Sequence, residues 1–356
     1  NHAANLRNIG DFEKAIEKIN AAISIVRDNN EKDLTTQYLK LKSSWLENLG
    51  AKLFDNKEWE RAMEVYKKQE EIEQTWADSD PESLHRCLRN QAGVLINKVN
   101  QYYIQEKYDE ALPLYKEQEP ILRRLGNKEN LNESLMLQAA CANNMAVKLV
   151  DSDLWDDAMK FYKEAERIYI EVGDQKALQM CLNNQIGCLQ RHGLMLLEQK
   201  HWDEAMRLYK ELEKITREAE GQKWLKSCLE NQYHILHSQF SEPFDNKEWD
   251  VALPYLREAR TVIREIGDLE KIQKTLGWLF LCLDNISMQL YNNKDYEEAL
   301  KLFREMAQVN KEAGNLYSTR QGFINQGVCL NELGRMYLEK NDLRKSLECF
   351  NEAEKC

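Results

Sequence analysis

Chemistry in this chain would fall to a few polar side chains at helical spacing. His234 and His237 stand three apart, and Cys188 precedes His192 by four, steps at which one helical face can offer two donors to a metal ion. A zinc site needs such donors to converge from neighbouring segments, and Cys188 belongs to a core-spaced series, so no metal is expected. Asparagines form a second group: Asn48, Asn97, Asn144 and Asn285, and one heptad earlier Asn90, Asn184, Asn231 and Asn325. Asparagine is a mediocre helix former whose amide both donates and accepts, so its recurrence inside helices implies use of the amide. Read from the chain itself, that use is a bridge between adjacent helices or a bond to nearby backbone groups. Signatures of phosphate-binding loops, dinucleotide folds, zinc proteases and serine hydrolases are absent, and the carboxylates are too dense to single out an acid–base pair. No catalytic residue and no cofactor are expected.

The elements that carry these residues repeat. The segments DFEKAIEKI, EWERAMEVY, KYDEALPLY, LWDDAMKFY, HWDEAMRLY, EWDVALPYL, DYEEALKLF and DLRKSLECF are versions of one text, centred on Ala15, Ala62, Ala111, Ala158, Ala205, Ala252, Ala299 and Ser346. Successive centres are 47 apart, once 49. Fixed periods of this size signal a repeat array.

Around each centre the apolar positions keep helical spacing. Three before it stand Phe12, Trp59, Tyr108, Trp155, Trp202, Trp249, Tyr296 and Leu343; four after it stand Ile19, Tyr66, Tyr115, Tyr162, Tyr209, Leu256, Phe303 and Phe350. Ten after it come Ile25, Ile72, Ile121, Ile168, Ile215, Val262 and Val309. The spacing predicts a helix with one apolar face and a small residue where another helix approaches closely, closed by Gly126, Gly173, Gly267 and Gly314 in left-handed conformation. An upstream helix carries leucine sixteen before the centre, often a small residue twelve before it, and Cys141, Cys188, Cys282 and Cys329 seventeen before it. The tryptophans read as core packing rather than stacking platforms, and Met180, Met195, Met206 and Met288 as gap fillers.

Composition excludes other classes. With 5 prolines, 14 glycines and 31% charged residues, the chain is biased to helix, and no uninterrupted apolar stretch is long enough to insert in a membrane. A net charge of -11 repels nucleic acid. The cysteines, sparse and core-spaced, read as free thiols of a reducing, cytoplasmic compartment. The chain begins with Asn1, and Asn5 to Gly10 reads as the tail of a helix, which suggests a piece of a longer protein.

The pattern of Leu, small residue, aromatic, Ala, aromatic resembles the tetratricopeptide repeat over essentially the whole chain. The segment YDEALPLYKEQEPILRRLG is similar to the long repeats of kinesin-light-chain-type proteins, including proline two after the alanine at Pro113 and Pro254. The usual repeat is about 34 residues, so both helices must be longer here, and leucine replaces the consensus tryptophan of the first helix. HEAT and armadillo arrays, the rival at this period, carry a recurrent proline in the first helix, where Pro243 is the one found. The resemblance implies an all-α, right-handed α-α superhelix, a TPR-like solenoid of about seven helical pairs plus one additional N-terminal helix. Its units would be a partial 1–30, then 31–78, 79–127, 128–174, 175–221, 222–268, 269–315 and 316–356. It further implies a non-catalytic scaffold whose first helices line a concave groove for a protein or extended peptide. In that family an asparagine fourteen before the centre often holds the ligand main chain; Asn48, Asn97, Asn144 and Asn285 match, and Arg191 stands at the same position, while Arg191, Ser238 and Glu332 depart from asparagine. The alternative reading is a ligand-sensing regulatory arm of a larger signalling protein, partnered by NTPase or protease domains of the same full-length chain.

Overall fold

In the computed structural model, residues 10–76, 81–219 and 222–356 are described; the segment expected to end an earlier helix, Asn5 onwards, lies outside them up to Gly10. Fifteen α-helices follow in order among the described residues: α1 (Phe12–Asp28), α2 (Lys32–Asp55), α3 (Trp59–Glu73), α4 (Pro81–Ile104), α5 (Tyr108–Leu125), α6 (Lys128–Asp151), α7 (Trp155–Val172), α8 (Gln175–Glu198), α9 (Trp202–Glu218), α10 (Gln222–Asp245), α11 (Trp249–Ile266), α12 (Leu269–Asn292), α13 (Tyr296–Glu312), α14 (Leu316–Glu339) and α15 (Leu343–Ala353). No strand occurs among the described residues. Each even-numbered helix, the first of its pair, has 24 residues, so the long repeat is taken up mainly there. α4 opens on Pro81, a second proline in a first helix, at the position where a missing N–H costs nothing.

The chain divides into two compact units, 1–184 and 185–356, the division falling within α8. In the first, even-numbered helices lie side by side: Arg86 Nε bonds Glu47 Oε1 at 2.8 Å, and Asn184 Nδ2 donates to Asn143 Oδ1 at 3.0 Å. The odd-numbered helices form a parallel layer held by pairs 48 residues apart, Arg61–Glu13 at 2.5 Å, Lys116–Glu164 at 2.8 Å and Arg123–Glu171 at 2.6 Å. The second unit is built alike. Rings of His237 and Trp278 join α10 to α12, and Arg217–Glu265 and Arg257–Glu305 tie α9 to α11 and α11 to α13. Exposed pairs contribute little singly; their regular spacing reports one helix register carried from repeat to repeat.

The core lies between the layers. Ala15, Ala62, Ala111, Ala158, Ala205, Ala252 and Ala299 are 0% exposed, and at the eighth centre Ser346 donates its hydroxyl to Gly334 O at 2.8 Å. The aromatic four after the centre explains the small residue twelve before it: a Cβ on Gly50 would stand 2.5 Å from the Tyr66 ring, and one on Gly193 2.8 Å from the Tyr209 ring. Because Ala205 is enclosed between these layers, Ala205→Leu should lower stability by about 1–3 kcal/mol, read as a drop in urea midpoint. An unchanged midpoint would mean the helix interface lies elsewhere.

Gly126, Gly173, Gly267 and Gly314 adopt positive φ as expected. A second left-handed position recurs between the helices of every pair: Lys57, Glu106, Asp153, Lys200, Lys247, Lys294 and Asn341, with φ between 56 and 66. Bonds such as Lys57 N to Phe54 O and Glu58 N to Leu53 O, 2.9 Å each, close the preceding helix there.

Three expectations fail. Ile25 is 62% exposed although α3 is in place, and Ile23 and Val26 are buried instead. The three-before aromatics pack edge-on against an aromatic five residues upstream, Phe54 with Trp59 and Phe244 with Trp249; where leucines replace both rings, Leu338 and Leu343 are exposed. Of the supposed gap fillers, Met206 is buried, but Met180 and Met288 are 60% and 42% exposed because they point off the first-helix layer rather than into it.

Candidate functional site

Asparagine is held in these helices by bonding its own turn. Asn48 Nδ2 donates to Ser44 O at 2.7 Å, Asn97 Nδ2 to Gly93 O at 2.9 Å and Asn285 Nδ2 to Leu281 O at 2.7 Å. All three are exposed, and each bond leaves the amide oxygen open. Asn144 is half-buried on the same face of α6. Arg191 is exposed on α8, Ser238 is half-buried on α10, and Glu332 accepts from Arg335 Nη1 at 2.8 Å. The heptad-earlier stripe behaves differently. Asn184 bridges to Asn143, and Asn231 Nδ2 reaches the Tyr209 hydroxyl at 3.1 Å, so those two amides tie helices together. Asn325 accepts from Gln321 Nε2 at 3.2 Å within α14.

Beside Asn97 the first-helix face opens into a cavity of about 210 Å³ between α4, α5 and α6, with Ile96, Asn100 and Leu137 at its rim and Tyr115, Gln118 and Ser134 beneath. Ser134 Oγ donates to Gln118 Oε1 at 2.6 Å, and Gln118 Nε2 to Ala92 O at 3.4 Å, which fixes the polar floor.

The two histidines do not face each other. His237 packs against Trp278 and Phe240, centroids 5.4 and 5.0 Å away, and its Nδ1 shares a hydrogen bond with Ser241 Oγ at 3.2 Å; His234 stands edge-on to Trp202 at 6.2 Å. Burial, followed by the nearby His234, pushes the His237 pKa down. Burial also pushes the thiols of Cys87, Cys141, Cys228 and Cys282 up to about 12, which keeps them protonated and poor as nucleophiles or ligands at neutral pH.

A set of internal amides escaped the sequence reading although it recurs twenty before the centre: Gln91, Gln138, Gln185, Gln232 and Gln326, all buried. Gln232 Nε2 donates to Tyr209 O at 3.2 Å and to Glu213 Oε2 at 2.8 Å, and Gln326 Nε2 to Phe303 O at 3.1 Å. Gln91, Gln232 and Gln326 thus each bind a first helix to the second helix before it.

The model of the family described as Tetratricopeptide repeat matches residues 280–313, and that described as Anaphase-promoting complex subunit 5 matches residues 1–53, 185–239 and 232–286. No curated protein sequence matches the chain. Among solved structures, a circular tandem repeat protein with novel repeat topology aligns at 16% identity and TM-score 0.27, covering 99% of this chain and 96% of that one. The apo form of RapI aligns at 17% and 0.22, covering 88% and 100%. A Rap protein complexed with competence and sporulation factor aligns at 16% and 0.20, covering 91% and 80%.

Proposed function

We propose that this chain, a tandem array of tetratricopeptide-type repeats, is a non-catalytic scaffold that binds a protein partner through an extended peptide laid along its first-helix face. The observation that carries the reading is the state of Asn48, Asn97 and Asn285: exposed, oriented by their own helix, and bonded to no neighbouring helix. An amide so held offers its oxygen to a main-chain N–H at little further entropic cost. The cavity beside Asn97 suits one partner side chain, apolar at the rim and able to bond Gln118 below. Asn144 in the 1–184 unit and Arg191 in the 185–356 unit occupy the same position in their repeats, and each would extend the contact within its own unit. Among the described residues no helix is long and apolar enough to cross a membrane, and the buried thiols fit a reducing compartment such as the cytoplasm.

An unbiased array of immobilised random nonapeptides, probed with the whole chain, tests this. A reproducible subset of peptides should retain the chain, and the unlabelled peptides should compete it off. Retention of none would overturn the scaffold reading.

A further inference from the structure

Within the 185–356 unit, one stripe of α12 sets apolar and acidic side chains beside its amide. Leu281, Asp284, Asn285 and Met288 stand at i, i+3, i+4 and i+7, the spacing of a single helical face. Leu281 and Met288 are 44% and 42% exposed, and on the neighbouring first helix α14, Ile324 and Val328 are each 46% exposed. Four large aliphatic side chains therefore lie open on two adjacent helices. Helix register places Asp284 among them. The position of Asn143 bonds that of Asn184 in the next repeat, and the equivalent pair His237 and Trp278 stacks in the second unit. The same step sets Asp284 opposite Asn325.

Asp284 is half-buried, yet among the described residues its carboxylate has no ion pair and no hydrogen bond. Burial pushes its pKa up. A carboxylate partly stripped of water and left unpaired is unfavourable, and a cation delivered to it removes that cost. Apolar neighbours strengthen the attraction by excluding water, and the net charge of -11 draws basic ligands towards the chain.

We infer that the α12–α14 face selects a lysine or arginine flanked by aliphatic residues in the partner segment, with Asp284 the specificity-determining group and Leu281, Met288, Ile324 and Val328 holding the flanking side chains. This rests on the scaffold reading above.

The test uses the whole chain and fluorescein-labelled nonapeptides Ser-Gly-Ile-Leu-X-Leu-Val-Gly-Ser, with X arginine, lysine, glutamine or glutamate, titrated by anisotropy. Arginine and lysine peptides should bind roughly 10-fold or more tightly than the glutamine peptide, and the glutamate peptide more weakly still. Asp284→Asn should erase the difference between arginine and glutamine while melting at or above the wild-type temperature, since it removes an unpaired charge. Leu281→Ser should weaken all the peptides together. Equal affinity for arginine and glutamine, discrimination that persists in Asp284→Asn, or no binding of any of these peptides would overturn the inference. If the random array meanwhile retains peptides of other composition, the scaffold reading stands and this specificity alone fails.

Discussion

Tyr209→Ala lowers stability by about 3–5 kcal/mol and, in the same stroke, makes Gly193→Ala harmless. Tyr209 is 0% exposed, and its ring fills the space that a side chain at Gly193 would need. Its hydroxyl accepts from Asn231, and its main-chain oxygen receives Cys228 Sγ at 3.0 Å and Gln232 Nε2, so the residue joins packing and polar networks of α8, α9 and α10. Truncation leaves a cavity and an Asn231 amide without its partner. In the wild type, Gly193→Ala drives a Cβ into the enclosed ring, an overpacking cost of about 1–3 kcal/mol that outweighs the helix propensity of alanine, about 1 kcal/mol. Once the ring is gone only the propensity remains, and Gly193→Ala stabilises. Urea unfolding of the four proteins followed by circular dichroism gives the cycle; an equal penalty for Gly193→Ala in both backgrounds would refute this contact as the origin of the small residue.

That pairing also shows which parts of the fold the sequence made readable. Ala205 and Tyr209 were visible because burial acts on both in every repeat, so residue type and spacing recur together. The turn at Lys57, Lys200, Lys247 and Lys294 was not, since left-handed backbone is ordinarily announced by glycine or asparagine. There tertiary packing fixes the turn and tolerates lysine, whose side chain stays in water. The buried glutamines were overlooked for a related reason: a polar residue at helical spacing reads as a solvated face until a neighbour's carbonyl is seen to need it, as Tyr209 O needs Gln232. Ile25 and Leu343 stand at apolar positions of the repeat yet are exposed, because recurrence of residue type reports the average repeat and not the surroundings of one copy. For the candidate site, the asparagine stripe one heptad earlier reads as internal only because the shorter helices of the family offer no counterpart there. Packing separates the two stripes: Asn184 and Asn231 are spent between helices, while Asn48, Asn97 and Asn285 bond inward only.

Replacing Asn48, Asn97 and Asn144 together by alanine should therefore weaken peptides retained on the 1–184 unit by one to three orders of magnitude. Each amide that bonds a ligand main chain contributes roughly 0.5–1.5 kcal/mol, and every 1.4 kcal/mol is tenfold in affinity. Melting should be unchanged or slightly raised, because alanine is the better helix former at exposed positions and no inter-helix bond of Asn48 or Asn97 is lost. Asn184→Ala supplies the contrast: it breaks the bond to Asn143 between α6 and α8, so it should lower the melting temperature while affinity in the folded protein holds. The triple variant and the single one thus move opposite observables, which separates an amide that waits for a ligand from one used internally. Should the triple variant melt lower and its folded fraction bind the array peptides as tightly as the wild type, the three asparagines are structural, and the peptide path along this face must run elsewhere.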